Sequence, residues 1–522
     1  MNIFKEILHR NLLKLLNFYN LDKYSATSGN GDREYWGWNT KDFANATMQG
    51  GVHALAIAYR LELAENKKFI LHVINAAIQA IARIRSKNGS VAEAYPNENS
   101  FCVTALVAFD VLAAINYLKN ELPQEKQEEY INIIKPLISF ITKNDEEHAV
   151  ISNHLATGAA AILLWNNLTG SQNTRYRELL EIIYKNQSPE GWYREYEGAD
   201  PGYQTLCTYY LAQVYGLTKD EKLKSSLMKS LEYLQYFVHP DGSIGGLYGS
   251  RNTEVFYPGG LVALASISET SAAIIRQFKL GIERGNHVLP DHIDVGNYIP
   301  LLNSYALAAL MYGQNASYIE RSRYELPCKE IFEKQYNDAG IYIKSTATYY
   351  VIINYKKGGT IKVFNKVKNV LDAEDGGLIG VLKNGEKFST QIVDESVSFE
   401  RGTLLAKFYK INEDYPTPLA FIVLRLLSMT ILKNIFLGNV FKKLIIKKLM
   451  TGKKPLDGSV QRSFQFLEDK ILVREKISPP QNSKEIRRAG KTTAIHMASS
   501  GYHTKQVEYL NSRSETVEFH EA

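Results

Sequence analysis

Two stretches decide the fold: "SPEGWYREYEGADPGYQTLCTYYLA" (188–212) and "HPDGSIGGLYGSRNTEVFYPGGLVALA" (239–265), because the second repeats the plan of the first. Each opens on a polar turn containing glycine, runs through an aromatic-rich loop and ends in an apolar segment rich in small residues. Gly191 and Gly242, at equivalent places, are 51 residues apart. The same plan surrounds Trp38 in "REYWGWNTKDFANATMQGGVHALAIAY" (33–59) and Gly89 in "SKNGSVAEAYPNENSFCVTALVAF" (86–109), again 51 residues apart. Gly89 to Gly191 is 102 residues, and "NDEEHAVISNHLATGAAAILLW" (144–165) supplies the unit between them. A further unit, "LPDHIDVGNYIPLLNSYALAALMYG" (289–313), places Asp291 49 residues after Gly242. A fixed period of this size is the mark of a repeat architecture.

Two kinds of helix alternate within a unit. The first is apolar nearly all round and reads as buried. After a turn comes a charged helix with a one-sided apolar stripe, as in "NKKFILHVINAAIQAIARIRS" (66–86) or "DEKLKSSLMKSLEYLQYF" (220–237). The fifth pair, ending in "SETSAAIIRQFKLGIERG" (268–285), is the least regular. About six such hairpins, with inner apolar and outer amphipathic helices, predict an (α/α) toroid over residues 1–326. An open α-solenoid is the alternative, and small residues on the inner helices favour closure. Every long loop joins an outer helix to the next inner one, so all the loops gather at one end of the ring.

After Leu326 the period changes to two. "GIYIKSTATYYVIINYKKGGTIKVFN" (340–365) alternates, and its "KKGG" reads as a hairpin turn. Similar segments continue to the end of the chain. The fold class is therefore α+β and multidomain, with an antiparallel β-sandwich-like domain at 327–522 after the toroid. A helical insert at 419–454 interrupts it: "LAFIVLRLLSMTILKNIFLGNVFKKLIIKKLM" (419–450). Arg425 and Lys433 break its apolar run, and Lys442, Lys443, Lys447 and Lys448 make its end basic. It reads either as a helix lying on an anionic membrane surface or as an insert packed on the toroid with its lysines in water.

Charge is informative once it is located. The net charge is +6, but residues 419–454 carry eight basic and no acidic residues, so the rest of the chain sums to −2. The basicity is thus local, and nothing in it suggests general nucleic-acid binding. Cys102, Cys207 and Cys328 are too far apart to form a disulfide framework or a CxxC metal pattern, and no metal or cofactor is expected. The N-terminal "MNIFKEILHRNLLKLLNFY" (1–19) reads as an amphipathic first helix rather than a signal peptide, which predicts a cytoplasmic protein at or near the inner membrane face. The 33 tyrosines suit flat hydroxylated ligands such as sugars. Trp38, Tyr95, Trp192, Tyr248, Asn252 and Tyr257, all on the loops, are the candidate sugar contacts.

A toroid followed by a sandwich resembles the heparinase II/III-like and alginate-lyase-like polysaccharide lyases. The motifs that carry the resemblance are "SNHLATG" (152–158), the tyrosine in "EGADPGYQT" (197–205) and, more loosely, "YGSRNTEVFYPGG" (248–260). Such enzymes cut a uronate chain by β-elimination, removing the weakly acidic proton beside the carboxylate. The resemblance implies that Asn153 neutralises that carboxylate, His154 is the base and Tyr203 the acid, with Arg251 gripping the carboxylate or a sulfate-like group. The implied partner is an acidic oligo- or polysaccharide. Ser152 and Leu155 stand where the family often has Asn and Gly.

Each residue also has a plainer role. Asn153 suits an N-cap, and His154 a polar place in the first turn. Tyr203 falls twelve residues after Gly191, as Phe101 does after Gly89, so its ring has a packing role to fill. Arg251 has Glu254 within reach. Glu93, Glu195, Glu197 and Asp200 offer an inverting glycoside hydrolase instead. A prenyl or lanthionine cyclase would want an Asp-rich or zinc site that is not evident. A non-catalytic glycan-binding protein of a cell-surface polysaccharide pathway is the third class. His496 and His503, in "HMASSGYH" (496–503), are further candidates to approach the toroid's loop face, which spacing alone does not show.

Overall fold

The computed structural model describes residues 2–146, 149–196, 198–411, 417–446, 453–490, 501–502 and 516–521. Among the described residues, thirteen α-helices precede the first strand: α1 (Ile3–Leu16), α2 (Arg33–Trp36), α3 (Val52–Arg60), α4 (Lys67–Ile84), α5 (Phe101–Leu118), α6 (Gln124–Lys143), α7 (Ser152–Thr169), α8 (Arg175–Asn186), α9 (Pro201–Thr218), α10 (Glu221–Leu234), α11 (Pro258–Leu264), α12 (Glu269–Glu283) and α13 (Val295–Arg321). The inner ring is α3, α5, α7, α9, α11 and α13, each packed on the next, and α13 returns to α3. Hydrogen bonds seal that joint: buried Asn303 of α13 donates to the Gly50 carbonyl at 3.0 Å and accepts from the Ala54 amide at 3.2 Å. The solenoid is thus closed into a toroid.

Burial follows the sequence pattern. α5 is long and apolar enough to cross a membrane, yet 83% of it is buried inside the ring. The outer helix α4 buries Ile70, Val73, Ile74, Ala77, Ile78 and Ile81, the stripe of a helix with one covered face. α13 has no partner after it in the chain. The N-terminal helix α1 takes that outer place, stacking Phe4 among Phe278, Tyr305 and Tyr312.

The repeated glycine has a steric cause. Gly191 sits at φ 107°, and a Cβ there would lie 2.3 Å from the Lys229 carbonyl of α10. Gly89 and Gly242 press on α6 and α12 in the same way. In the first unit the equivalent residue is Gly29, which presses on Ala76 of α4. Trp38 does not hold that position; its interval of 51 residues to Gly89 is a coincidence of an irregular first loop.

Two sheets follow. β1 (Phe332–Tyr336), β2 (Ile341–Ser345), β3 (Tyr349–Asn354), β4 (Thr360–Asn365) and β5 (Val370–Asp375) form an antiparallel meander. The "KKGG" turn joins β3 to β4, with Gly358 and Gly359 at positive φ. The second sheet has the order β11-β6-β7-β8-β9-β10-β12, from β6 (Leu378–Leu382), β7 (Lys387–Ser389), β8 (Thr403–Lys410), β9 (Pro455–Phe466), β10 (Ile471–Ser478), β11 (Ser483–Arg488) and β12 (Val517–Glu521). It departs from the antiparallel expectation at one place: β12 pairs parallel to β10. Between β8 and β9 the insert forms α14 (Pro418–Met429) and α15 (Ile435–Ile446).

The layers are toroid, first sheet, second sheet. On β3, Tyr350 and Ile352 join the toroid core, whereas Tyr349, Val351 and Ile353 join the core between the sheets. A strand covered on both faces reads as an unbroken apolar run. Inside the sandwich, fully buried Arg462 pairs with Asp375 at 2.8 Å and Glu475 at 2.7 Å, and Arg488 closes the network on the same two acids.

Candidate active site

The first turn of α7 is fixed from outside its own loop. Ile151 is extended and makes no side-chain cap. Ser152 anchors the start instead, its amide and hydroxyl both donating to the Arg194 carbonyl, at 3.0 and 2.8 Å. Asn153 therefore does not cap the helix; it lies one residue inside it. Its amide group donates to Glu195 Oε2 at 2.7 Å, and its backbone N–H donates to Glu195 Oε1 at 3.3 Å. The carboxyl of the next repeat does the capping, at the electropositive end of the helix.

His154 stands beside it at the surface, its side chain 21% exposed. Its Nδ1 is 2.9 Å from Glu146 Oε2, a carboxylate that is itself nearly buried. Such a contact fixes ring orientation and tautomer: with Nδ1 as the donor, Nε2 carries the lone pair.

One acid places the other two candidates. Asp200 caps α9 and accepts the amides of Tyr203 at 3.1 Å, Arg251 at 2.9 Å and Thr253 at 3.4 Å. It is wholly buried and its oxygens are committed to these amides. The Arg251 guanidinium lies 5.2 Å above the ring of Tyr196, which neighbours both Glu195 and Glu146 electrostatically. Glu254 meets Lys362 of β4 at 3.5 Å. Asn153 and His154 thus stand side by side on α7, Asp200 holds the backbone at Tyr203 and Arg251, and Tyr196, under the Arg251 guanidinium, feels the charges of Glu146 and Glu195. Glu146 and Tyr196 were not legible as partners, because neither falls at a repeated position.

Burial sets the electrostatics. It pushes the Glu195 carboxyl up to about 8, against the opposing hydrogen bonds from Asn153. Glu93 is accessible to water but hemmed in by protein, and that crowding, with Glu98 beside it, raises its carboxyl to about 7. Burial also raises Asp200, opposed by its amide donors. Both Cys102 and Tyr196 are pushed up by burial, with Glu146 adding to each.

The proposed sugar contacts separate. Trp38 is 72% exposed. Tyr95 is half-buried on the Glu93 loop. Tyr257 is buried next to half-buried Tyr203, its phenol raised by burial and by that neighbour. Three others are buried with structural partners, as buried as Asn153 and Arg251. Trp192 is buried and donates to Glu190 at 3.3 Å. Tyr248 is fully buried, its hydroxyl 2.6 Å from His239 Nε2. Asn252 is buried against Lys357, whose ammonium also donates to the carbonyls of Leu247 at 3.0 Å and Gly249 at 2.6 Å. These residues join the toroid to the first sheet and hold the Arg251 loop. Among the described residues no three His, Cys, Asp or Glu side chains are grouped to hold a metal. Glu197, His496 and His503 lie outside the described residues, although Tyr502 does reach the loop end, donating to Asp294.

The sequence matches no protein-family model and no curated protein. Solved structures do match. Chondroitin AC lyase of Streptomyces coelicolor A3, in complex with chondroitin sulphate, superposes with a TM-score of 0.54 at 10% identity, over 90% of this chain and 65% of that one. The chain has the fold of the α/α-toroid polysaccharide lyases. A Paenibacillus xanthan lyase gives a TM-score of 0.49 at 9% identity over 88% of this chain and 46% of its own, and heparinase III gives 0.46 at 13% over 89% and 69%. The chain spans less than two thirds of the length of chondroitin AC lyase and less than half that of xanthan lyase.

Proposed function

We propose that the protein is a glycan lyase that cleaves a uronate-containing chain by β-elimination at the loop end of its toroid. One observation carries the reading: a histidine oriented by a buried carboxylate stands beside a carboxyl-anchored asparagine, with a tyrosine and an arginine positioned by a single acid.

In this reading Asn153 and Arg251 receive the substrate carboxylate and stabilise the charge that develops as the adjacent C–H bond breaks. Glu195, held protonated near neutrality, adds no negative charge to oppose it. His154 takes the proton from the carbon beside the carboxylate. The electron pair forms the new carbon–carbon double bond, the glycosidic carbon–oxygen bond breaks, and Tyr203 gives its proton to the departing oxygen. Water then takes the proton from His154 and returns one to the tyrosine, which restores both groups. The acidity of the glycan enters through the Asn153–Arg251 pair, which suits an anion.

A hydrolase is the second reading, supported by the raised carboxyls of Glu93 and Glu195. Inversion needs a protonated acid and an ionised base facing each other across a water. Asp200 is a poor base for it, with its oxygens taken by backbone amides.

An ultraviolet assay on uronate-containing glycans separates the two, because elimination leaves a conjugated double bond. Absorbance is expected to rise with the wild type and to vanish with His154→Ala and Tyr203→Phe. New reducing ends without absorbance, lost in Glu93→Gln, would establish hydrolysis instead.

A further inference from the structure

The insert between β8 and β9 is turned inside out. Several of its polar groups face the toroid. Arg425 pairs with Asp42 at 2.9 Å and Lys442 with Glu98 at 3.4 Å. Asn97 and Asn99 donate to the carbonyls of Ser428 and Leu432, at 3.0 and 3.3 Å. Leu432 is buried and Ile435 packs on the toroid core, but most of the large apolar side chains are left outside, with Leu419 70% and Phe436 73% exposed, and Phe421, Ile422, Leu426 and Met429 exposed with them. Of the 24 large apolar side chains exposed among the described residues, eleven fall between Leu419 and Leu444; the other thirteen are scattered over the rest of the chain. Scattered apolar residues are ordinary on a protein surface. A concentrated patch calls for an apolar medium against it.

The charge pattern says which medium. Residues 419–454 contain eight basic residues and no acidic one, and Lys433 and Lys443 are exposed among the apolar side chains. A second copy docking here by two-fold symmetry would set this basic segment against itself. An anionic lipid surface satisfies both the apolar and the cationic parts. Length decides between spanning and lying flat. Each helix has 12 residues, about 18 Å of rise, against a hydrocarbon core of about 30 Å.

We propose that α14 and α15 form a docking element that seats the protein on an anionic lipid bilayer, with both helices lying in the interface. The seat is at the rim of the loop end: Lys442 acts electrostatically on Glu93 and on Cys102, which also neighbours Glu146. The mouth of the ring then opens beside the bilayer. If the site acts as proposed above, a step that rests on that reading, its substrate is a glycan presented at a membrane surface.

Sedimentation of the full chain with vesicles of phosphatidylcholine and phosphatidylglycerol in equal parts tests the proposal, with phosphatidylcholine alone as the reference. The chain is expected to sediment with the mixed vesicles, less so at high salt. The double variant Leu426→Ser/Phe436→Ser should lose at least roughly tenfold in partitioning on both vesicle types. Lys433→Gln/Lys443→Gln should lose roughly tenfold or more on the mixed vesicles only. All four positions are exposed, and circular dichroism checks that the variants fold. Phe436→Trp gives a second readout, a blue shift of emission when mixed vesicles are added. A chain that stays in the supernatant with both vesicle types overturns the proposal. So does a doubled mass in light scattering that Leu426→Ser/Phe436→Ser abolishes while vesicles are ignored. Vesicle binding without glycan cleavage would leave the docking element standing and remove only the enzymatic reading.

Discussion

Asn153 and Glu195 come from adjacent repeats and meet at 2.7 Å, both buried. The asparagine that would face a substrate carboxylate is thus itself held by a carboxyl group, and the pair works only while that group keeps its proton. Glu195 moves from 4.5 to about 8 on folding. Between those values the folded chain holds a proton that the unfolded chain has released. Stability therefore falls as pH rises through this window and levels off above it. Glu195→Gln removes the titration while keeping the shape, so its stability should vary less with pH than that of the wild type. Urea unfolding of both proteins at the two ends of the window measures the difference. Equal pH slopes would mean that Glu195 titrates as an ordinary carboxylate.

Under the proposed lyase reading, the His154–Glu146 contact predicts two separable losses of activity. His154→Ala removes the base and should lower kcat by about 10²- to 10⁴-fold. Glu146→Gln keeps the base but weakens the hold on its Nδ1 proton. It should give a smaller loss of kcat, with KM little changed. Activity equal to that of the wild type would assign Glu146 a packing role.

What the sequence revealed, and what it hid, follows from the range of the interactions. The helical period, the alternation in β3 and the turn at Gly358–Gly359 are local patterns and read directly. So does the gathering of the long loops at one end, since it follows from connectivity alone. Ring closure through Asn303 and the use of α1 as the outer partner of α13 join the two ends of the toroid, and no local pattern records them. Spacing by itself misled at Trp38, where the steric role belongs to Gly29. In the site, Asn153 and His154 stood out as an adjacent polar pair, but their partners Glu195 and Glu146 are tertiary choices. Tyr248 and Trp192 stood out by aromatic composition, which does not record that they are buried against His239 and Glu190.

The β domain should matter to the site through Lys357. Its buried ammonium binds the carbonyls of Leu247 and Gly249 and the side chain of Asn252, the residue after Arg251. Lys357→Met leaves three buried acceptors without this charged donor, a loss of about 1 to 3 kcal/mol for each group left unsatisfied. The Arg251 loop should loosen as a result. Under the proposed reading, KM for an anionic glycan should then rise more than kcat falls, and protease cutting between residues 245 and 254 should speed up. A variant destabilised in urea but with unchanged KM would confine Lys357 to the seam.

Two glycines with positive φ give the sharpest test of the repeat. Gly170 closes α7 at φ 72°, and a methyl group added there would meet nothing within 4 Å, so Gly170→Ala should cost only the left-handed backbone penalty, about 1 to 2 kcal/mol. Gly191 has φ 107°, and a methyl group there would sit 2.3 Å from the Lys229 carbonyl. The obstacle is helix backbone, which cannot rotate away as a side chain would. Gly191→Ala must therefore push the loop off α10, and with it the segment that carries Arg194 and Glu195. A loss of more than about 3 kcal/mol is expected, a size reached only by changes of this kind. Thermal unfolding followed by circular dichroism compares the two variants. Similar melting temperatures would mean that the loop yields easily, and that the repeated glycine is there for its backbone conformation alone.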